Sequence, residues 1–292
     1  MGKTKTFFKG IERFFVRRKQ QFIVHYLLRY AGGKELIEQY TCNYRQTHEP
    51  ITSTSPIWTC WWQGESVMPD IVKACYNAMR KYSDGHPVIL ITEKNYKDYV
   101  DLPEYIIEKV KEKKITLTHL SDILRVMLLA RHGGIWMDST LLIPAKPINS
   151  FIHPEREFWS CHHHTRYYNI SQGGWVGFFQ ACGKGNMLPS FIADLFFSYW
   201  KTHHKLVEYL LIDYAFAIAR KYIPAVHDMI ENVPYSEMGP LGKCLNDEYS
   251  DKKWEEFCTR YDFHKLTYKI PLRLTTAEGK KTYYGHILET YL

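Results

Sequence analysis

Apolar residues recur along the chain in blocks whose spacing changes. Ile57-Trp58-Thr59-Cys60-Trp61 is a short apolar run bounded by turn residues, the pattern of a buried strand. Pro69 opens a helix at its first position, with Asp70 in the first turn and Ile71, Cys75, Ala78 and Met79 on one face. Pro87-Val88-Ile89-Leu90-Ile91-Thr92 is a second strand. Strand, helix and strand in this order predict a βαβ unit with parallel pairing and a right-handed crossover. Helical stretches follow near 93–99 and 103–113. Over 118–132, Leu120, Ile123, Leu124, Met127, Leu128 and Arg131 fall at helical spacing and predict a helix with one apolar face. Thr118 or Ser121 is placed to cap it, and Gly133-Gly134 to stop it in a left-handed turn. A strand region follows over 135–143. The alternation predicts an α/β fold with a parallel-rich sheet and ligands at the carboxyl ends of its strands.

Past Pro144 and Pro147 the pattern loosens. Residues 188–222 predict long helices, and 223–292 are mixed and turn-rich. Residues 1–30 read as a helix, and the polar stretch 41–56 as a linker or loop. The expected organisation is an N-terminal helix and linker over 1–45, then one domain over 46–292. Within that domain, about 56–145 forms one part and 146–292 the other.

Charge changes the picture at the N-terminus. The net charge is +7, and residues 1–30 carry Lys3, Lys5, Lys9, Arg13, Arg17, Arg18, Lys19 and Arg29 against Glu12 alone. Phe7, Phe8, Ile11, Phe14, Phe15, Phe22 and Ile23 interleave with them. This is the composition of an interfacial amphipathic helix on an anionic leaflet, or of a docking helix with a solvated basic face. No nucleic-acid motif accompanies the charge. No run approaches the ~20 apolar residues of a membrane span. Seven cysteines, an odd number with no C-x-x-C pair, argue against a disulfide framework or zinc ribbon and for a reduced compartment. The expected location is cytoplasmic, peripheral on the inner membrane face.

The chemistry concentrates in one stretch. Asp122 and Arg125 lie three apart and share a helix face. The following turn and strand end on Asp138, so two carboxylates and a guanidinium are expected together. Read alone, Asp122 and Arg125 are either a local ion pair or a functional one.

Ser121-Asp122-Ile123-Leu124-Arg125, followed by Gly133-Gly134-Ile135-Trp136-Met137-Asp138-Ser139-Thr140, resembles the sugar-nucleotide site of glycosyltransferase family 32. It resembles the capsular polysaccharide synthesis branch near that family more closely. The broader pattern ends D-x-D; here Thr140 stands at the second acidic position. The resemblance implies a GT-A-like, Rossmann-like nucleotide-sugar-binding domain with a helical C-terminal half, the donor part lying within 56–145.

It implies that Asp138 holds Mn²⁺ or Mg²⁺, with Thr140 contributing through its hydroxyl or a water. Asp122 and Arg125 would bind ribose, donor sugar or phosphate, and Trp136 belongs to the same donor site. Trp62 would stack on the base, unless Trp58, Trp61 and Trp62 are all core; alternation puts Trp58 and Trp62 on one face and Trp61 on the other. In the C-terminal part, His264 would ligate the metal, with His286 as competitor, and Lys269 would reach the diphosphate. Asp213 would orient the acceptor or the reacting sugar, and Trp175 would floor an acceptor sugar. Cys161-His162-His163-His164 reads as a polar loop, because neighbours on extended chain face opposite ways.

The implied activity is transfer of a hexose from a nucleotide sugar, a UDP-sugar by resemblance, to a growing, lipid-linked capsular or exopolysaccharide glycan with retention. The alternatives are a sugar-nucleotide hydrolase or phosphotransferase, and a non-catalytic sugar-nucleotide-binding or scaffold protein of capsule assembly.

Overall fold

The computed structural model of the chain describes residues 2–42, 49–162 and 169–292, with side chains in the first helix from Gly10 onward. The expected domain boundary at 45/46, and His163 and His164, lie outside the described residues.

Two helices, α1 (Gly2–Tyr30) and α2 (Gly33–Cys42), precede the sheet. The first half alternates as the sequence predicts: β1 (Ile57–Cys60), α3 (Asp70–Lys81), β2 (Val88–Ile91), α4 (Glu104–Lys111), α5 (Leu117–His132), β3 (Gly134–Met137) and the short β4 (Leu141–Leu142). Then come β5 (Phe158–Ser160), β6 (Phe179–Cys182), α6 (Met187–Thr202), α7 (Leu211–Tyr222), α8 (Pro224–Glu231), α9 (Asp251–Arg260), the short β7 (His264–Lys265) and α10 (Tyr283–Tyr291).

Among the described residues the main sheet runs β2-β1-β3-β6-β5. β1 pairs parallel with both β2 and β3, and the β1–α3–β2 unit is the expected βαβ. β6 runs antiparallel to β3 and to β5, so four of the five strands point the same way. The strand order reverses between β1 and β3, and a parallel sheet opens a ligand crevice at the carboxyl ends there.

Three boundaries differ from the sequence expectation. Pro69 is the N-cap of α3, not its first helical residue. Residues 93–99 form only a 3₁₀ turn over Tyr96–Asp98. Asp138 and its turn split the 135–143 region into β3 and β4.

α5 is the central helix. It is capped by Thr116, whose side chain accepts from the His119 N–H, and not by Thr118 or Ser121. The expected single apolar face is too narrow. Ile123, Leu124, Val126, Leu128 and Leu129 are all buried, because α6 packs over the side turned from the sheet. A helix wrapped on both sides must be apolar nearly all round. Arg131, in its last turn, remains exposed and pairs with Asp101 at 2.9 Å. The opposite face of the sheet is covered by α3 and α10.

The α5–β3 turn is fixed by two glycines. Gly133 has φ +65° and Gly134 φ +98°, a region that side chains with Cβ rarely adopt. A Cβ on Gly134 would stand 2.3 Å from the Pro56 carbonyl oxygen, and one on Gly133 2.4 Å from the Lys184 nitrogen. Trp58 closes the turn from below, its indole N–H donating to the Gly133 carbonyl at 2.8 Å. Gly134→Ala is therefore expected to cost at least ~2 kcal/mol. Gly10→Ala, with nothing within 4 Å of the new methyl, should cost nothing. Urea midpoints of the two variants check this.

Candidate functional site

A cleft of about 600 Å³ opens at the carboxyl ends of β1 and β3. Trp62 and Gln63 follow β1, and Asp138, Ser139 and Thr140 follow β3. Ser121, Asp122 and Arg125 come from the first turns of α5, Asp213 from the first turn of α7, and Lys265 to Lys269 from the segment at and after β7.

Its floor is a charged array. Arg125 NH1 donates to Asp122 Oδ1 at 2.9 Å, and NH2 donates to Asp138 Oδ1 at 3.1 Å. Lys265 Nζ donates to Asp138 Oδ2 at 2.6 Å, and Trp136 Nε1 donates to Asp138 Oδ1 at 2.9 Å. The Arg125 guanidinium carbon lies 5.0 Å from the Trp136 ring centroid. Gly177 lets the guanidinium in, since a Cβ there would come within 3.1 Å of NH1.

Burial pushes the Asp138 carboxyl up. Lys265 and Arg125, with hydrogen bonds from Lys265 and Trp136, outweigh burial and hold it well below the usual carboxylate range. His119 lies behind Asp122. Trp200 Nε1 donates to His119 Nε2 at 2.9 Å, so in the neutral ring Nδ1 carries the proton, and it faces Asp122 Oδ2 at 3.5 Å.

Asp213 has the opposite environment. Trp175 Nε1 donates to its Oδ1 at 2.9 Å, and the indole stacks on Phe216 at 5.4 Å and 17°. Burial pushes this carboxyl up to about 6 despite the Trp175 hydrogen bond, with Asp122 adding repulsion. The rim is apolar and aromatic: Leu117, Tyr209, Leu210 and Tyr268 are exposed there.

The structure thus brings together Trp62, Asp122, Arg125, Asp138, Thr140, Asp213 and Lys269. Trp136 joins them from beneath, fully buried, as the support for Asp138 and Arg125. Trp62 packs against Tyr96 on the Trp58 side of the sheet, and Trp61 lies on the other side beside Tyr268, as alternation predicts.

Two expectations need correction. Trp175 is 1% exposed and holds Asp213, so it is not an open platform for a sugar. His264 does not line the cleft. β7 pairs with β4, Leu142 opposite His264 and Leu141 opposite Lys265. Strand alternation sends the imidazole inward against Gly239, where burial pushes it down to about 4, and sends the Lys265 ammonium to Asp138. His286 is stacked on Tyr249 at 4.0 Å, also away from the cleft.

The Mn²⁺ or Mg²⁺ implied by the resemblance does not fit these residues. Among the described residues no group of three His, Cys, Asp or Glu side chains converges as a metal cage. Asp138 is the carboxylate at the motif position, and both its oxygens already accept from cationic side chains. Hard divalent ions need several oxygen ligands and would meet an ammonium and a guanidinium here.

A second cavity, of about 740 Å³, lies between α1 and α7. Trp175 lines both cavities; Arg17, Val24, Leu28, Arg220 and Lys221 line the second. The C-terminal half of α1 is anchored by buried Ile23 and Leu27 and by the Tyr26 hydroxyl on His203 at 2.9 Å. Farther out, Lys19 pairs with Glu208 at 2.6 Å, next to the cleft rim. Ile11, Phe14, Phe15 and Phe22 fall at i, i+3, i+4 and i+11, an exposed stripe that includes Arg18. No helix among the described residues is long and apolar enough to cross a membrane.

The profile of the capsular polysaccharide synthesis protein family matches residues 3–287, and the chain belongs to that family. An O-glycosyltransferase, braB, from Annulohypoxylon truncatum is 30% identical over 103 residues, which is 32% of this chain and 24% of that protein. The match therefore spans about a quarter of the curated relative. The solved structure titled PaToxG Glycosyltransferase aligns over 86% of this chain and 95% of its own, with 16% identity and a TM-score of 0.43.

Asp213 gives a stability test. Its folded pKa of about 6 lies above the ~3.9 of an unfolded aspartate. The folded state therefore holds this proton more tightly. The resulting stability is fully present below the unfolded value and is lost as pH rises through 6, about 3 kcal/mol in all. Asp213→Asn keeps an acceptor for Trp175 and has no charge to bury. It should melt several degrees above the parent at pH 8, with the gap shrinking toward pH 5. Differential scanning calorimetry across that range checks the sign.

Proposed function

We propose that the chain is a glycosyltransferase that moves a hexose from a nucleotide sugar, a UDP-sugar in the first instance, to a lipid-linked capsular or exopolysaccharide glycan. The observation that supports it best is the Asp122–Arg125–Asp138–Lys265 array at the point where strand order reverses, under an aromatic rim. Sugar-nucleotide transfer needs cationic donors for a diphosphate, carboxylates for sugar hydroxyls and a flat face for a base.

In this reading Trp62 stacks on the base, a contact worth roughly 1–3 kcal/mol by analogy with other bases on aromatic rings. Asp122, held by Arg125, accepts from ribose or donor-sugar hydroxyls. Arg125 and Lys265 face the diphosphate, and Lys269 guards it at the rim. The transfer is retaining: the acceptor hydroxyl attacks the anomeric carbon from the face that the diphosphate leaves. The bond from that carbon to the phosphate oxygen breaks, its electron pair stays on the phosphate, and the acceptor proton passes to the leaving oxygen. Asp213, the basic carboxylate opposite, orients the acceptor hydroxyl. Asp122 and Asp138 are each held by a cation and are poorly placed as nucleophiles.

The exposed Phe14, Phe15 and Phe22 stripe with its arginines supports a peripheral place on an anionic membrane surface. The Lys19–Glu208 pair would tie that surface to the cleft rim.

The test is nucleotide diphosphate release from a panel of nucleotide sugars, with and without lipid-linked acceptor. Release with one donor should rise with acceptor and fall at least ~100-fold in Asp138→Ala and Asp213→Asn. Silence across the panel, with no donor bound by calorimetry, would sink the proposal. Release that ignores the acceptor would favour a hydrolase. For the membrane, Phe14→Ala/Phe15→Ala/Arg18→Ala should lose flotation with phosphatidylglycerol vesicles while keeping the parent's melting temperature. Equal flotation with neutral vesicles would count against a charged surface.

A further inference from the structure

We infer that the cation offered to the donor's diphosphate is the Lys265 ammonium, backed by Arg125, in place of a divalent metal ion; this rests on the nucleotide-sugar reading above. Lys265 Nζ sits 2.6 Å from Asp138 Oδ2, where a metal held by the motif carboxylate would bind. An ammonium has three N–H donors. One goes to Asp138, and the side chain is about a quarter exposed toward the cleft, so two remain for phosphate oxygens. The ammonium then bridges carboxylate and diphosphate.

Three further observations agree. The motif's second acidic position is Thr140, so the turn after β3 offers one carboxylate, Asp138, and not two. The histidine adjacent to Lys265, the implied third ligand, is turned into the core by strand alternation. Arg125 is itself buried and shares the Asp138 carboxylate with Lys265, one cation on each oxygen, so a second fixed positive charge stands beside the ammonium.

The chemistry balances without a metal. When the bond between the anomeric carbon and the phosphate oxygen breaks, the electron pair stays on that oxygen and the diphosphate gains one negative charge. A fixed ammonium stabilises that charge more in the transition state than in the bound donor, where it is not yet developed.

Calorimetric titration of the full chain with UDP, and in turn GDP and ADP, tests this first in EDTA and then in Mn²⁺. The expected result is binding of one diphosphate in EDTA, changed less than ~2-fold by Mn²⁺, and transfer that survives chelation. Lys265→Ala should weaken the diphosphate at least ~10-fold, about 1.4 kcal/mol, and leave the corresponding nucleoside unchanged, while Lys265→Arg keeps most of the affinity. Thr140→Asp/Lys265→Ala should bind the diphosphate again, now only with Mn²⁺. If Lys265→Ala does not fold, as circular dichroism reports, the parent's behaviour in EDTA decides alone. Diphosphate binding that vanishes in EDTA would overturn the ammonium assignment and leave the donor reading standing. No diphosphate bound under either condition would overturn both.

Discussion

The Arg125 guanidinium, buried between Asp122 and Asp138, sets the terms for the rest of the molecule. A charge out of water is tolerated only when paired and hydrogen-bonded. Its partners come from its own helix and from the end of the next strand, so α5 and β3 must meet at one angle. The two positive-φ glycines between them fix that angle. Trp136 fills the space beneath, and Gly177 leaves the space above open. Removing either carboxylate would leave the guanidinium with one of its two ion pairs, which links the stability of the sheet's centre to the chemistry at its edge.

Asp138 and Asp213 face one cleft and are tuned in opposite directions. One is surrounded by cations and stays ionised far into acid. The other meets an indole N–H and apolar packing, and holds its proton close to neutrality. Two carboxylates separated in this way can take different roles, one fixed in charge and one responsive to a nearby hydroxyl.

Much of this was legible in the sequence where the signal is local. The βαβ unit, the Gly133-Gly134 stop, the Asp122/Arg125 face and the Trp58/Trp61/Trp62 alternation each depend on spacing alone, and each is found. What was not legible depends on partners far along the chain. Thr116 rather than Thr118 or Ser121 caps α5 because the helix begins at Leu117, three residues before the first buried apolar position of the pattern, Leu120. α6 buries the side of α5 that pattern alone would leave to water. The placement of His264 follows from register: β7 meets β4 so that a two-residue ladder decides which side chain reaches Asp138, and no local cue marks that parity. A buried His264 and a cleft-facing Lys265 are one outcome of a single pairing. Trp175 was expected to floor an acceptor sugar, yet its ring is packed on Phe216 and its N–H is spent on Asp213.

That same ladder has a consequence in time. Most of the cleft is encoded before residue 214, but the group that pairs with Asp138 Oδ2 arrives only with residue 265. Bringing them together closes a loop of 127 residues, so the donor pocket forms through one of the long-range contacts that slow folding.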